Sequence, residues 1–263
     1  MIETLPPGEI HSSAVVDPGT ELAADVAIGA YAVIGPRVVI GAGTRIGPHA
    51  VIHQDTVIGE QCAIHQGASL GNDPQDLKYG GEHSELHVGA RTVIREFCTI
   101  NRGTTAQGKT VIGSDCLIMA YSHVAHDCVI GPHAVIANAV NMGGHVEIGD
   151  WVVVGGMTAI HQFARIGAHA FIGGTSAVRK DVPPFVKASG NPLKLYGLNT
   201  VGLQRRGFSD ELRRELKRAY RIVFASELNV GQALERARNE LAPIREVEEF
   251  LSFIQASERG TTV

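Results

Sequence analysis

From position 10 to position 178 the chain carries an aliphatic residue at every sixth place. The series runs Ile10, Val16, Leu22, Ile28, Ile34, Ile40, Ile46, Ile52, Ile58, Ile64 and Leu70, resumes at Val88, Ile94 and Ile100, and continues from Ile112 to Val178 with Met142 as its one methionine. Of the 29 slots only Asp76, Glu82 and Ala106 depart. Neither a helix nor a flat sheet has a period of six. A β-solenoid does, because a short strand and a corner return the chain to the same inward-pointing position on each side of a prism. Two residues before each slot stands a small or β-branched residue, as at Ala32, Thr44, Ala50, Thr110, Ser122, Ala134 and Thr158. A glycine follows many slots, where the turn requires either positive φ or close backbone approach. Burying each aliphatic side chain is worth about 1.5–3 kcal/mol, so roughly ten coils of three six-residue units make a stiff rod.

Two polar segments break the beat, 72–87 and 101–109, and both read as loops expelled from the prism wall. Loops projecting from a rigid scaffold are common carriers of binding groups. The beat ends after Val178 and Pro183-Pro184 follows. Ser209 then suits a helix N-cap, Asp210 and Glu211 a first turn, and Leu212, Leu216, Ala219, Tyr220 and Val223 an apolar helical stripe. Further amphipathic segments lie near 230–242 and 245–257. The chain is therefore expected to be mainly β, with a solenoid over 1–189 and a helical domain over 190–263. The first long helix carries Arg213, Arg214, Lys217, Arg218 and Arg221, a basic face that is either simply solvated or suited to an acidic partner.

A net charge of −4 argues against general nucleic-acid binding. No apolar run approaches the ~20 residues of a membrane span, and the opening residues lack a signal peptide's pattern, so a cytoplasmic protein is expected. Cys62, Cys98, Cys116 and Cys128 all sit in the small-residue phase without metal-ligand spacing, and read as corner fillers.

The 12 histidines avoid both inward phases. His126, His145 and His161 fall in units 18 residues apart, so they share one side of three successive coils about 4.8 Å apart, with His123 at the adjoining corner. Two chemistries fit such a strip. Neutral imidazoles can converge on Zn²⁺, as in hexapeptide proteins with a carbonic-anhydrase-like zinc site. Alternatively one imidazole accepts a proton from a hydroxyl while its neighbours orient it or bind substrate. Asp127 suits an orienting carboxylate if the turn bends its side chain back, and the N–H groups of Gly143-Gly144 can face a developing oxyanion.

The segments GNDPQDLKYGGE, INRGT, SHVAHDC, GGHVEIGD, GGMTAIHQF, DVPPFV and GLQRRGFS, in that order, resemble the UDP-N-acetylglucosamine O-acyltransferases of lipid A biosynthesis. The resemblance spans nearly the whole chain. It implies a left-handed parallel β-helix, a homotrimer with clefts between subunits, and transfer of a 3-hydroxyacyl chain from acyl carrier protein to the 3-hydroxyl of UDP-N-acetylglucosamine. No cofactor or metal is implied. The resemblance makes His126 the general base, Asp127 its partner and Gly144 the oxyanion donor. It makes Asp76, Lys78, His123, His145, His161 and Gln162 substrate contacts. Asn199, Arg205 and Arg206 resemble contacts to the nucleotide diphosphate, and Gly174 the position that sets acyl depth. Val201, Asn101 and Pro192 depart from the family's better-known members; Asn101 bears on whether the acceptor is the 3-hydroxy or the 3-amino sugar. A zinc enzyme of the carbonic-anhydrase type and a scaffold that only binds partners are the competing readings.

Overall fold

The structure, a computed structural model, describes residues 6–263. Mostly two-residue strands form three parallel sheets of nine, eight and ten strands. Face 1 begins with Val15–Val16, face 2 with Glu21–Leu22 and face 3 with Ala27–Ile28, and the chain visits the faces in that order, coil after coil. Only the last pairing, Val186–Ser189 with Lys194–Leu198, is antiparallel. The architecture is a left-handed parallel β-helix.

The six-residue beat becomes the core. In face 1, Ile34 pairs with Ile52, Ile52 with Leu70, Leu70 with Ile100, Ile100 with Val124 and Val124 with Met142, so each slot residue stacks on its equivalent one coil away. From Ile28 to Val178 the slot residues that remain in the wall are buried. The slots thin out only at the open end, where Ile10 is 47% exposed because the first coil has a neighbour on one side only. The small residues of the second phase lie inside the corners, and their hydroxyls bond the backbone of the adjacent coil, as Thr44 donates to Gly59 O at 2.8 Å. The four cysteines are free and buried. Burial pushes the Cys98 thiol up to about 11 and that of Cys128 to about 12, which makes them inert fillers.

The glycines after the slots answer to close approach. A Cβ on Gly113 would lie 2.5 Å from Pro132 N, and one on Gly41 2.7 Å from Glu60 N. Positive φ falls two residues later and mostly on other residue types, among them Asp127 (59°), His145 (60°) and Trp151 (60°). Each corner therefore spends left-handed backbone on residues with side chains to present, at a conformational cost of order 1–3 kcal/mol each that the packed coils must offset.

Both insertions are shorter than the sequence pattern suggested. Asn72 ends the strand Ser69–Asn72, and Glu85–Val88 is a full strand with Leu86 buried. Likewise Asn101 ends one strand and Lys109 begins the next. Alternation in Glu-Leu-His-Val is the strand signal that the polar neighbours masked. The excursions are 73–84 and 102–108, and both leave the prism at the corner between faces 1 and 2. Past the solenoid come α1 (Thr200–Arg205), α2 (Asp210–Phe224), α3 (Val230–Glu240) and α4 (Arg245–Gln255). Ser209 caps α2 by accepting from Leu212 N, and Leu216, Ala219 and Val223 form its buried stripe. No helix among the described residues is long and apolar enough to cross a membrane.

Candidate active site

The corner between faces 1 and 2 collects most of the chemistry. His126 and Asp127 turn between the strands His123–Val124 and Val129–Ile130. One coil on, Gly144 and His145 occupy the equivalent turn, and His161, Gln162 and Phe163 the turn after that. The vertical columns differ from a simple histidine stripe. Asp127, His145 and Phe163 share the left-handed position, so the His145 ring lies flat on Phe163 with centroids 4.5 Å apart and planes 7° apart. His126 instead stands under Gly144 and meets the His145 ring edge-on at 5.1 Å.

The left-handed turn bends Asp127 back. His126 Nδ1 lies 2.8 Å from Asp127 Oδ2, so the ring proton on Nδ1 is held by the carboxylate and Nε2 is left with its lone pair. Asp127 is fully buried. Burial alone would raise its carboxyl, but the bonds from His126 and from the Thr104 N–H and hydroxyl outweigh it and hold it below the ordinary carboxylate value. Those Thr104 bonds are 2.9 Å to Oδ1 and 2.7 Å to Oδ2. Glycine at 144 is a packing requirement: a Cβ there would sit 2.6 Å from His126 Cε1 and 2.7 Å from Nε2. Within the chain the Gly144 N–H meets no acceptor among the described residues, so the turn that packs on the His126 ring carries a free donor.

The surrounding groups frame a cleft. His123 projects from face 1 and bonds the Thr99 hydroxyl at 2.8 Å; burial and the neighbouring His126 lower its pKa. Loop 73–84 carries Asp76 and Lys78, tied together by Lys78 N–H donating to Asp76 at 3.0 Å, with Leu77 at its tip wholly exposed. Buried Arg102 staples this loop to the wall, donating to Gly71 O at 2.9 Å and to the Tyr79 hydroxyl at 2.7 Å. Asn101 donates to Asp73 O at 2.7 Å. On the far side the C-terminal tail reaches in: Arg259 donates to Gln162 O at 2.9 Å and approaches His161 Nδ1 at 3.3 Å. Gln107, His145, Phe163 and Arg259 line a cavity of about 530 Å³ there. Thr104, Phe163 and Arg259 escape sequence reasoning: the first two sit where a loop or a turn gives no periodic signal, and the third lies 98 residues from the histidine it meets.

The remaining expected residues lie elsewhere. Asn199, Arg205 and Arg206 surround a cavity of about 620 Å³ on face 3, with Phe171, Lys187 and Val201. Face 3 is the side of the prism opposite the His126 corner. Asn199 caps α1 through Gly202 N and donates to His169 O at 2.9 Å, while Arg206 lies over the Trp151 ring at 5.3 Å. Gly174 is at the third corner, between faces 3 and 1, exposed above Gly156. One chain thus sets His126, Asp127, Gly144, His145 and His161 at one corner, with the Asp76–Lys78 loop leaving the same corner two coils earlier, and separates them from Asn199, Arg205, Arg206 and Gly174.

Among the described residues, His126, Asp127 and His145 alone place possible metal ligands within 4.8 Å of one another. A cation there would have to displace hydrogen bonds that Asp127 already accepts, and Phe163 covers one face of the His145 ring.

Residues 181–262 match the model described as Udp N-acetylglucosamine O-acyltransferase, Domain 2, and residues 37–72 and 109–143 the model for bacterial transferase hexapeptide repeats. A protein of Herminiimonas arsenicoxydans named acyl-acyl-carrier-protein–UDP-N-acetylglucosamine O-acyltransferase is 48% identical over 95% of this chain and 98% of its own. The chain belongs to the UDP-N-acetylglucosamine O-acyltransferase family. A relative of the same name from Paracidovorax citrulli is 56% identical over 89% of each chain. The solved UDP-N-acetylglucosamine acyltransferase of Bacteroides fragilis superposes with a TM-score of 0.96 at 38% identity, covering 97% of this chain and all of that one. That of Arabidopsis gives 0.81 at 34% identity, over 97% of this chain and 100% of the other. These likenesses give the zinc-enzyme and scaffold readings no support.

Proposed function

We propose that this chain transfers a 3-hydroxyacyl group from acyl carrier protein to the 3-hydroxyl of UDP-N-acetylglucosamine, in the cytoplasm, as a step of lipid A biosynthesis. The observation that carries the mechanism is the 2.8 Å contact between His126 Nδ1 and the buried Asp127 carboxylate, which leaves Nε2 as the acceptor. His126 Nε2 takes the proton as the sugar oxygen attacks the thioester carbonyl. The free N–H of Gly144 faces the oxyanion of the tetrahedral intermediate. On collapse the C–S bond breaks, the new ester remains on the sugar, and the carrier's thiolate takes back the proton from His126. General-base catalysis of this kind is worth about 10²–10⁴-fold, and one oxyanion donor about 10²–10³. The thioester arrives activated, so no bound cofactor enters this scheme.

The split between the His126 corner and face 3 supports a homotrimer. One substrate can meet His126 and also Asn199 and Arg205 only if the two groups come from neighbouring copies. The exposed Leu77 tip and the cleft beside loop 73–84 suit the approach of such a neighbour. Helix α2 is the proposed dock for the acidic carrier, on a narrower patch than its five cations suggest. Arg213, Arg214 and Arg218 pair with Asp210, Glu211 and Glu215 one turn back, and Lys217 and Arg221 have no acidic partner among the described residues. Mass spectrometry of product from purified protein, offered UDP-N-acetylglucosamine and its 3-amino analogue with a series of acyl carriers, tests the proposal. An O-linked ester is expected. An amide formed only on the amino sugar would overturn the acceptor assignment.

A further inference from the structure

We infer that Thr104 is a positioning residue of the reaction: through Asp127 it fixes the orientation and proton affinity of His126. This rests on the reading of His126 as general base and deepens it. The excursion 102–108 is inserted at the corner between faces 1 and 2 without interrupting either sheet, and its neck is tightly specified. Arg102 N–H donates to Asn72 O at 3.0 Å and Gly103 N–H to Glu85 O at 3.1 Å, and Gly103 packs so closely on Lys109 that no side chain fits. The next residue, Thr104, is 7% exposed and delivers two donors to one carboxylate, its N–H to Oδ1 and its hydroxyl to Oδ2. Ala106 N–H donates to the Thr104 oxygen at 3.2 Å, which turns the hydroxyl proton toward Asp127.

A regular turn would not place this pair of donors there. Asp127 is otherwise faced by His126, by His145 Nε2 at 3.7 Å, and by Thr110, whose hydroxyl accepts the Asp127 N–H at 2.8 Å. Cys128, next in the chain, keeps its thiol inward. Thr104 is therefore the neutral group that shares the carboxylate charge with His126. Without its hydroxyl, that charge concentrates on the ring, the imidazolium is favoured, and the carboxylate gains freedom to swing.

The test compares Thr104→Val and Thr104→Ser, with and without Asp127→Asn, by kcat and KM across pH beside melting temperature. Thr104→Val keeps the shape and the N–H and removes the hydroxyl. It is expected to lower kcat about 10- to 100-fold, the scale of one hydrogen bond to a charged group, to leave the sugar nucleotide's KM nearly unchanged, and to move the acid limb of kcat/KM to higher pH. Thr104→Ser should restore both. In the Asp127→Asn background Thr104→Val should add little, because the two residues act in series. If the valine variant does not fold, Thr104→Ala is read in its place against the same serine rescue. Wild-type kcat with an unmoved profile, or a loss that simply adds to that of Asp127→Asn, would overturn the inference. His126→Ala separates the two levels: if it is inactive while Thr104→Val is normal, only Thr104 is misassigned; if it is fully active, the base itself is.

Discussion

Two corners of the same solenoid are built from the same backbone and do different work. Between faces 2 and 3, the left-handed positions hold His133, Trp151, His169 and, beyond them, Phe185. Their rings stack at 4.0, 6.4 and 5.6 Å, and Arg206 covers Trp151. Between faces 1 and 2, the same positions hold Asp127, His145 and Phe163. In the first column Asp115, one coil below His133, is held by Arg91 at 2.7 Å, and no histidine ring of that column hydrogen-bonds a carboxylate among the described residues. Burial, with Arg206 alongside, pushes His169 down to about 4, so it is a neutral spacer that seats the C-terminal helices. The second column has a buried carboxylate, a histidine that bonds it and a loop that bonds it from the other side through Thr104. A histidine at a solenoid corner is thus no sign of chemistry by itself; the buried carboxylate bonded to the ring, and the loop that bonds that carboxylate, distinguish the two.

The largest effect expected from this contrast concerns assembly. His126→Ala and Arg205→Ala disable opposite sides of the prism, so each pure variant should be poorly active. If neighbouring copies share a site, denaturing and refolding the two together should regenerate activity, because mixed trimers contain clefts with both groups intact. A mixture no more active than its parents would show that each chain works alone.

Trp151→Ala should act the opposite way from a catalytic substitution. It removes the centre of the aromatic column and the seat of Arg206. Trp151 is 38% exposed, so the loss should fall below the 3–5 kcal/mol of a buried large-to-alanine change, at about 1–3 kcal/mol. The melting temperature should drop while kcat of the folded protein stays close to wild type. A large kcat loss at unchanged stability would move the corner between faces 2 and 3 into the active site.

The smallest effect is a matter of pH. An unfolded histidine binds its proton near 6.5 and the folded His169 only near 4. Its contribution to stability is therefore complete above about pH 6.5 and is lost as pH falls toward 4. His169→Phe should flatten the stability curve over that window relative to wild type, measured by denaturant unfolding at each pH. An identical slope in both proteins would show that His169 titrates freely.

The prism was legible in the sequence because one residue class repeats in a position that only a coil can bury, from Ile28 to Val178. The helices were legible in the caps and stripe of 209–223, but α1 was not, since its six residues are too few for a period to show. At the site, His126, His145 and His161 were placed on one side by counting to 18. Their true offsets within the turn were not, because Asp127 and His145 share a left-handed position that φ alone defines. Loop edges were misplaced where Glu85–Val88 and Lys109 look polar yet pair in sheets. Thr104 and Arg259 could not be found by pattern, since each reaches the site from a segment without one.

The central claim is that His126, held by Asp127, is the base. His126→Ala beside His169→Ala, each measured for kcat and melting temperature, tests it most directly. His126→Ala should lose about 10²–10⁴-fold in kcat with its stability nearly intact, as the ring stands outside the aliphatic core, while His169→Ala should lose stability and keep its kcat. A folded His126→Ala with wild-type kcat would contradict the mechanism.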